Sequence, residues 1–70
     1  TKKHVDSIAF DGGTTTFDLP YDNTKYDIYI NGLYMTEGID YTINKESNPN
    51  QIIFKNVYDE RDICTLIYYV

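Results

Sequence analysis

The residues of this chain that could carry out acid–base or nucleophilic chemistry are a single histidine and a single cysteine, His4 and Cys64. A catalytic histidine needs a nucleophile or an acid partner within hydrogen-bonding reach, and the sequence indicates none for His4. A reactive thiolate needs an exposed, electropositive setting, whereas Cys64 stands in an apolar run. We therefore predict a solvated His4 within a polar lead-in (residues 1–4), a buried and unreactive Cys64, and no catalytic residue.

Two groups of carboxylates are the candidates for binding a cation. The first group flanks one loop and consists of Asp18, Asp22 and Asp27. The second group lies within another loop and consists of Asp59, Glu60 and Asp62. Calcium takes about 6–8 oxygen ligands, which a short loop supplies at alternating positions, and neither group has that spacing. Gly12-Gly13 leads into a predicted strand and not into a helix, which does not fit a phosphate-binding loop. The sequence thus predicts solvated turn residues, no metal and no cofactor.

Charge and composition narrow the range of partners. The net charge is −5, and the acidic residues are scattered. No basic stripe is present to neutralise phosphates, so neither nucleic acid nor an anionic membrane surface is a predicted partner. No apolar stretch reaches the ~20 residues of a membrane-spanning helix. One cysteine cannot form an internal disulfide, so stability must come from packing, with neighbouring subunits as a further source.

Tyrosines are the candidate contact residues, because eight of the seventy residues are tyrosine. Residues 26–35 alternate around Asn31-Gly32, a pair typical of a type I′ hairpin turn. The two-residue turn fixes the register, so Ile30 should oppose Leu33, and Tyr29 should oppose Tyr34 on the other face of the ribbon. Ile28 should likewise oppose Met35, with the aliphatic residues of both strands on one face.

The predicted Tyr29–Tyr34 pair either stabilises the sheet or forms an interface or sugar contact. Tyr68 and Tyr69 should point to opposite faces of the last strand, which places one of them at a contact with another chain or domain.

The pattern of the remaining residues predicts an all-β fold. Helical periodicity is poor, and turn signals recur every eight to ten residues. The predicted strands lie at residues 5–10, 14–19, 26–35 (the hairpin), 40–44, 52–54 and 63–70, with one helical turn at 58–61 as an alternative to a plain loop. The last strand is apolar on both faces, which indicates a central position. We predict a small antiparallel β-sandwich or partly open barrel of six to seven strands, one domain over 1–70, belonging to a longer polypeptide.

Beyond these inferences, the order of the motifs resembles a module of tailed-bacteriophage tail-fibre, appendage and baseplate proteins. The resemblance runs from Thr14 to Tyr69 and rests on a Phe-x-Leu-Pro motif, the Ile-Tyr-Ile-Asn-Gly hairpin, Gly-Ile-Asp-Tyr-Thr, Ile-Ile-Phe and the closing apolar strand. Proteins of this kind have no catalytic residues to transfer. Their signature positions are turn and core positions, here Asn31, Gly32, Gly38, Asp40, Tyr41, Phe54 and Tyr68. Residues 59–62 are more charged than the usual turn.

The resemblance implies a rigid, non-enzymatic adaptor in a virion tail, assembled in the host cytoplasm. Its partners would be neighbouring tail protomers or domains, often as a homotrimer. The contact residues would come from Tyr29, Tyr34, Tyr68 and Tyr69. The alternative hypothesis is a carbohydrate-binding module that contacts a host-surface glycan through exposed tyrosines.

Overall fold

The computed structural model describes residues 1–70 and contains seven strands and no helix. The strands are β1 (Lys3–Ile8), β2 (Thr16–Asp18), β3 (Tyr26–Ile30), β4 (Leu33–Tyr34), β5 (Tyr41–Asn44), β6 (Gln51–Phe54) and β7 (Cys64–Tyr69). None of the chain forms a helix of the length and apolarity needed to cross a membrane. The all-β prediction is therefore confirmed.

Two antiparallel sheets share one core. The larger sheet has the strand order β1-β7-β3-β4, and the smaller one has the order β2-β6-β5. Because side chains alternate between the faces of a strand, every second residue of β3 and β7 enters the space between the sheets. The core consists of Phe10, Leu19, Tyr26, Ile28, Ile30, Tyr41, Ile52, Phe54, Cys64, Leu66 and Tyr68. The molecule is a small sandwich and not a closed barrel.

The β3–β4 hairpin has the predicted register. Tyr29 pairs with Tyr34 and Ile30 with Leu33, and the Met35 amide donates a 2.8 Å hydrogen bond to the Ile28 carbonyl. Asn31 and Gly32 have φ angles of 53° and 82°, which a type I′ turn requires. Local sequence alone therefore fixed this element.

The last strand is central, as its apolar composition predicted. β7 pairs with β1 on one side and with β3 on the other. Its inward residues Cys64, Leu66 and Tyr68 are buried, whereas Ile67 is half-buried and Tyr69 is exposed on the outer side. A strand with partners on both edges has its backbone polar groups satisfied by ladder hydrogen bonds, which suits a segment this apolar.

Several details of the prediction are wrong. β1 begins at Lys3, so His4 belongs to a strand and not to a lead-in, while β2 is only three residues long. For residues 58–61, by contrast, the predicted loop is confirmed, and the helical turn that was its alternative does not form. Leu33 faces solvent with 68 % of its surface exposed. It lies in a two-residue strand at the edge of the larger sheet, where the three-stranded sheet opposite does not cover it.

Candidate functional site

The side of the larger sheet that faces away from the core carries exposed aliphatic and aromatic side chains next to Lys3, Asp27 and Thr65. We call it the outer face and define it by Val5, Tyr29, Tyr34, Ile67 and Tyr69. Val5 pairs with Ile67, and Tyr29 pairs with Tyr34, so these residues form neighbouring rows on one sheet. Val5, Tyr34 and Tyr69 are 59 %, 56 % and 55 % exposed, and the other two are half-buried.

The predicted Tyr29–Tyr34 pair is present on this face. The ring centroids are 5.4 Å apart and the planes cross at 64°, an edge-to-face arrangement. Such a pair stabilises a sheet by about 0.5–1.5 kcal/mol beyond the area that it buries. The Tyr34 hydroxyl donates a long hydrogen bond of 3.4 Å to Asp27. Two rings at this angle pack on each other and do not form one flat stacking surface.

Tyr68 and Tyr69 point to opposite faces, as predicted, and the structure decides between them. Tyr68 is 2 % exposed and belongs to the core, so it is not available as a surface contact. Tyr69 lies on the outer face. The candidate contact residues are therefore Tyr29, Tyr34 and Tyr69, and the inclusion of Tyr68 is corrected because its strand directs it between the sheets.

His4 and Tyr68 form an aromatic cluster with Tyr21 and Tyr26 at one end of the sandwich. The imidazole stacks on the Tyr68 ring at 5.1 Å and 12°, and Tyr21 and Tyr26 approach the same ring at 5.7 and 4.9 Å. His4 is half-buried, which corrects the prediction of a solvated side chain. Its position across from Tyr68 follows from the pairing of the first strand with the last, so the local sequence gave no signal for it.

The Tyr68 hydroxyl donates a hydrogen bond to the Asp6 carboxylate. This bond stabilises the protonated phenol, and together with desolvation it raises the pKa of Tyr68 to about 12. The rings of the cluster pack against one another, and the hydroxyls of its two buried tyrosines bind protein partners, since the Tyr26 hydroxyl donates to the Tyr21 carbonyl at 2.8 Å. The cluster therefore serves packing.

Cys64 is buried, as predicted, and 1 % of its surface is exposed. Burial raises the pKa of its thiol to about 11, because the thiolate would lose its hydration. A thiol held protonated and out of solvent is a poor nucleophile.

Carboxylates of both candidate groups accept hydrogen bonds from distant segments of the chain. Asp18 accepts from the Gln51 side chain at 2.9 Å, and Asp22 accepts from the Asn50 amide at 2.8 Å. Asp62 accepts from the Asn31 side chain at 2.9 Å. No three His, Cys, Asp or Glu side chains come together in a group that could hold a metal ion.

A cavity of about 420 Å³, which no sequence motif indicated, lies where the start of β3 approaches β5, the edge strand of the smaller sheet. We call it the side cavity. Its lining residues are Asn23, Thr24, Lys25, Tyr26, Glu37, Tyr41, Ile43 and Lys45. Three separate segments supply them, so no local motif marks the site. Two lysines in an acidic chain are the only sequence feature that could have drawn attention to it.

Comparisons of this chain with protein-family models, curated proteins and solved structures found no match. The fold and its surfaces define a small β-sandwich with exposed tyrosines on its outer face and a polar cavity, the side cavity, between β3 and β5.

Proposed function

We propose that the chain is a non-enzymatic structural module of a phage tail or tail-fibre protein, acting as an adaptor or assembly domain in the virion. The phage assignment rests on the resemblance of the motifs between Thr14 and Tyr69. The role as an assembly domain rests on the outer face. The expected occupant of that face is a second copy of this chain.

The composition and position of the outer face support this role. Its central strands β7 and β3 place Ile67 and Tyr29 in the middle of the sheet, and Val5, Tyr34 and Tyr69 extend the apolar surface towards both edges. Several exposed aliphatic and aromatic side chains on one sheet face, here with Asp27 and Thr65 between them, are typical of protein–protein contacts. Tyrosine is also one of the residue types that most often anchor an interface. This surface is the single observation on which the assembly role depends.

The oligomeric state of the purified protein, measured by size-exclusion chromatography with light scattering over a range of concentrations, tests the role. We expect an oligomer that dissociates in Tyr69→Lys, because burying an unpaired ammonium in an apolar contact is unfavourable. Thr42→Lys is the matched control, since Thr42 is exposed on the outward side of the other sheet. A wild-type chain that is monomeric throughout, or an oligomer insensitive to Tyr69→Lys, contradicts the proposal.

The alternative function, glycan binding through exposed tyrosines, predicts a different result. A glycan array should then give a signal that Tyr29→Ala and Tyr34→Ala abolish. Because the two rings pack edge to face, they do not form one flat surface on which a sugar ring could stack against both, which is why we place assembly first.

A further inference from the structure

The side cavity is lined by a tyrosine hydroxyl that has no hydrogen-bond partner in the protein. Tyr41 is 4 % exposed, and its side chain lies between the sheets, 6.4 Å from the Phe54 ring centroid to centroid. Its hydroxyl makes no hydrogen bond within the protein, yet no side-chain polar atom that is fully shielded from solvent lacks a partner. The hydroxyl must therefore reach solvent, and Tyr41 lines the side cavity. Because no protein group occupies this hydroxyl, it is available to a ligand in the cavity.

The charged residues of the cavity are also free of partners. The single ion pair of the protein joins Arg61 to Asp59, so Lys25, Lys45 and Glu37 have no oppositely charged group within 4.0 Å. Two of the six basic residues of a chain with net charge −5 line this one cavity. The cavity thus has an excess of positive charge in a negative molecule, with one carboxylate beside it.

Hydrogen bonds within the two bordering loops hold the cavity in shape. The loop before β3 is fixed by the Tyr26 hydroxyl, which donates to the Tyr21 carbonyl and accepts from the Tyr21 amide at 3.0 Å. The turn that carries Glu37 is fixed by the Gly38 amide, which donates to the Tyr41 carbonyl at 2.7 Å, and by the Asp40 carboxylate, which accepts from the Thr36 amide at 2.7 Å. A preformed site avoids the entropy cost of ordering loops when a ligand binds.

We propose that the side cavity binds a small polyhydroxylated carboxylate of the size of one acidic sugar residue. The carboxylate of the ligand would lie between Lys25 and Lys45, and its hydroxyl groups would donate to Glu37 and accept from Tyr41. The volume of about 420 Å³ falls within the roughly 300–1,000 Å³ that is usual for small-molecule sites.

Each part of the lining favours this class over simpler ligands. A neutral sugar would leave both ammonium groups without a charged partner, and an inorganic anion would not fill the space against Tyr26 and Ile43 or offer hydroxyl groups to Glu37. A hydroxylated carboxylate uses both charges and places its C–H groups on the apolar wall. Burial, followed by the charge of Glu37, raises the pKa of Tyr41 to about 12, so its hydroxyl stays protonated and can donate at neutral pH.

Titration with D-glucuronate, followed by amide chemical shifts of the isotope-labelled protein, tests the proposal. We expect saturable shifts confined to residues 23–26 and 37–45, with D-glucose and inorganic phosphate giving none. Tyr41→Phe should weaken the affinity by about two- to tenfold, the range for one neutral hydrogen bond. Lys25→Gln and Lys45→Gln should each weaken it by about tenfold.

In these variants a loss of affinity can be distinguished from a loss of folding. Tyr41→Phe removes only an atom without a protein partner, so the fold should be retained, and Lys55→Gln is the matched control because Lys55 lies outside the cavity. The absence of saturable shifts, equal shifts with glucose or phosphate, or unchanged affinity in Tyr41→Phe would each overturn the proposal. Shifts centred on Tyr29 and Tyr34 would overturn it as well and move the site to the outer face. The oligomeric state is a separate measurement, so failure here leaves the assembly role to its own test.

Discussion

Asn31 and Asp62 join two turns that are 31 residues apart in the chain. The Asn31 side-chain amide donates a 2.9 Å hydrogen bond to the Asp62 carboxylate, and its carbonyl oxygen accepts from the Ile63 amide at 2.9 Å. The backbone amide of Asn31 also donates a hydrogen bond to the backbone carbonyl of Ile63 at 2.8 Å. One residue at the tip of the hairpin therefore fixes the loop that leads into the central strand β7.

We expect Asn31→Gly to lower the free energy of unfolding by about 1 kcal/mol, because two side-chain hydrogen bonds are lost while the positive φ angle remains accessible to glycine. The matched control is Asn23→Gly. Asn23 also has a positive φ, of 55°, but its side chain does not join two distant loops. Urea denaturation of the two variants measures the difference, and equal stability would show that the Asn31 bonds contribute nothing.

The Asp11 carboxylate should make stability depend on pH in the acid range. It accepts from the Thr14 hydroxyl at 2.6 Å and from the amides of Gly13 and Thr14 at 2.9 and 2.6 Å. These bonds, the hydroxyl bond first, lower the pKa of Asp11 from 3.8 to about 2. A pKa lowered by folding stabilises the folded state above pH 3.8, and the contribution is lost as the pH falls towards 2.

Asp11→Asn should therefore lose less stability than the wild type between pH 5 and pH 2, measured by urea denaturation at each pH. Glu60→Gln is the control for removal of one carboxylate, because Glu60 lies exposed in a loop. The interpretation is wrong if Asp11→Asn and Glu60→Gln have the same acid dependence.

Cys64 should resist thiol reagents in the folded protein. Its thiol is buried with a pKa of about 11, so at pH 8 it is protonated and shielded, and reaction requires opening of the sandwich. We expect labelling by a chromogenic disulfide reagent to be slow in buffer and complete in denaturant. A Thr42→Cys substitution in a Cys64→Ala background provides an exposed thiol that should react at once, and comparable native rates for the two thiols would contradict the packing.

The two sides of the larger sheet should respond differently to the same small truncation. Ile28 is fully buried on β3, whereas Ile67 is half-buried on the outer face. In the Tyr69→Lys background, in which the outer face should be free of a second copy, Ile28→Val should reduce the free energy of unfolding by about 1 kcal/mol through lost packing, and Ile67→Val by less than half as much. Chemical denaturation compares them directly. An equal or larger effect at Ile67 in this background would contradict the half-buried position of its side chain.

Short-range features of the sequence predicted much of the fold. Asn31-Gly32 determined both the turn and the register of the hairpin, because two residues of a type I′ turn leave no freedom in how the strands pair. The burial of Cys64 and the central place of β7 followed from apolar composition, because such a segment buries side chains on both faces and pairs its backbone groups on both edges. These inferences need only neighbours in sequence.

The candidate sites could be located only from the tertiary structure. Sequence alternation placed Tyr68 and Tyr69 on opposite faces but could not say which face the smaller sheet would cover. That depended on how two sheets of unequal width pack, which also left Leu33 exposed at an uncovered edge. His4 met Tyr68 only because the first and last strands pair.

The proposed roles of the outer face and the side cavity both depend on contacts between segments that are distant in the sequence. Residue patterns along the chain were enough to predict the strands and tight turns, which residues share a face, and the internal position of β7. The packing of the two sheets was needed to show that Lys25, Glu37, Tyr41 and Lys45 surround one cavity. The physical reason is that strand pattern and turn chemistry are local, whereas a site made by three segments exists only after their distant strands have packed.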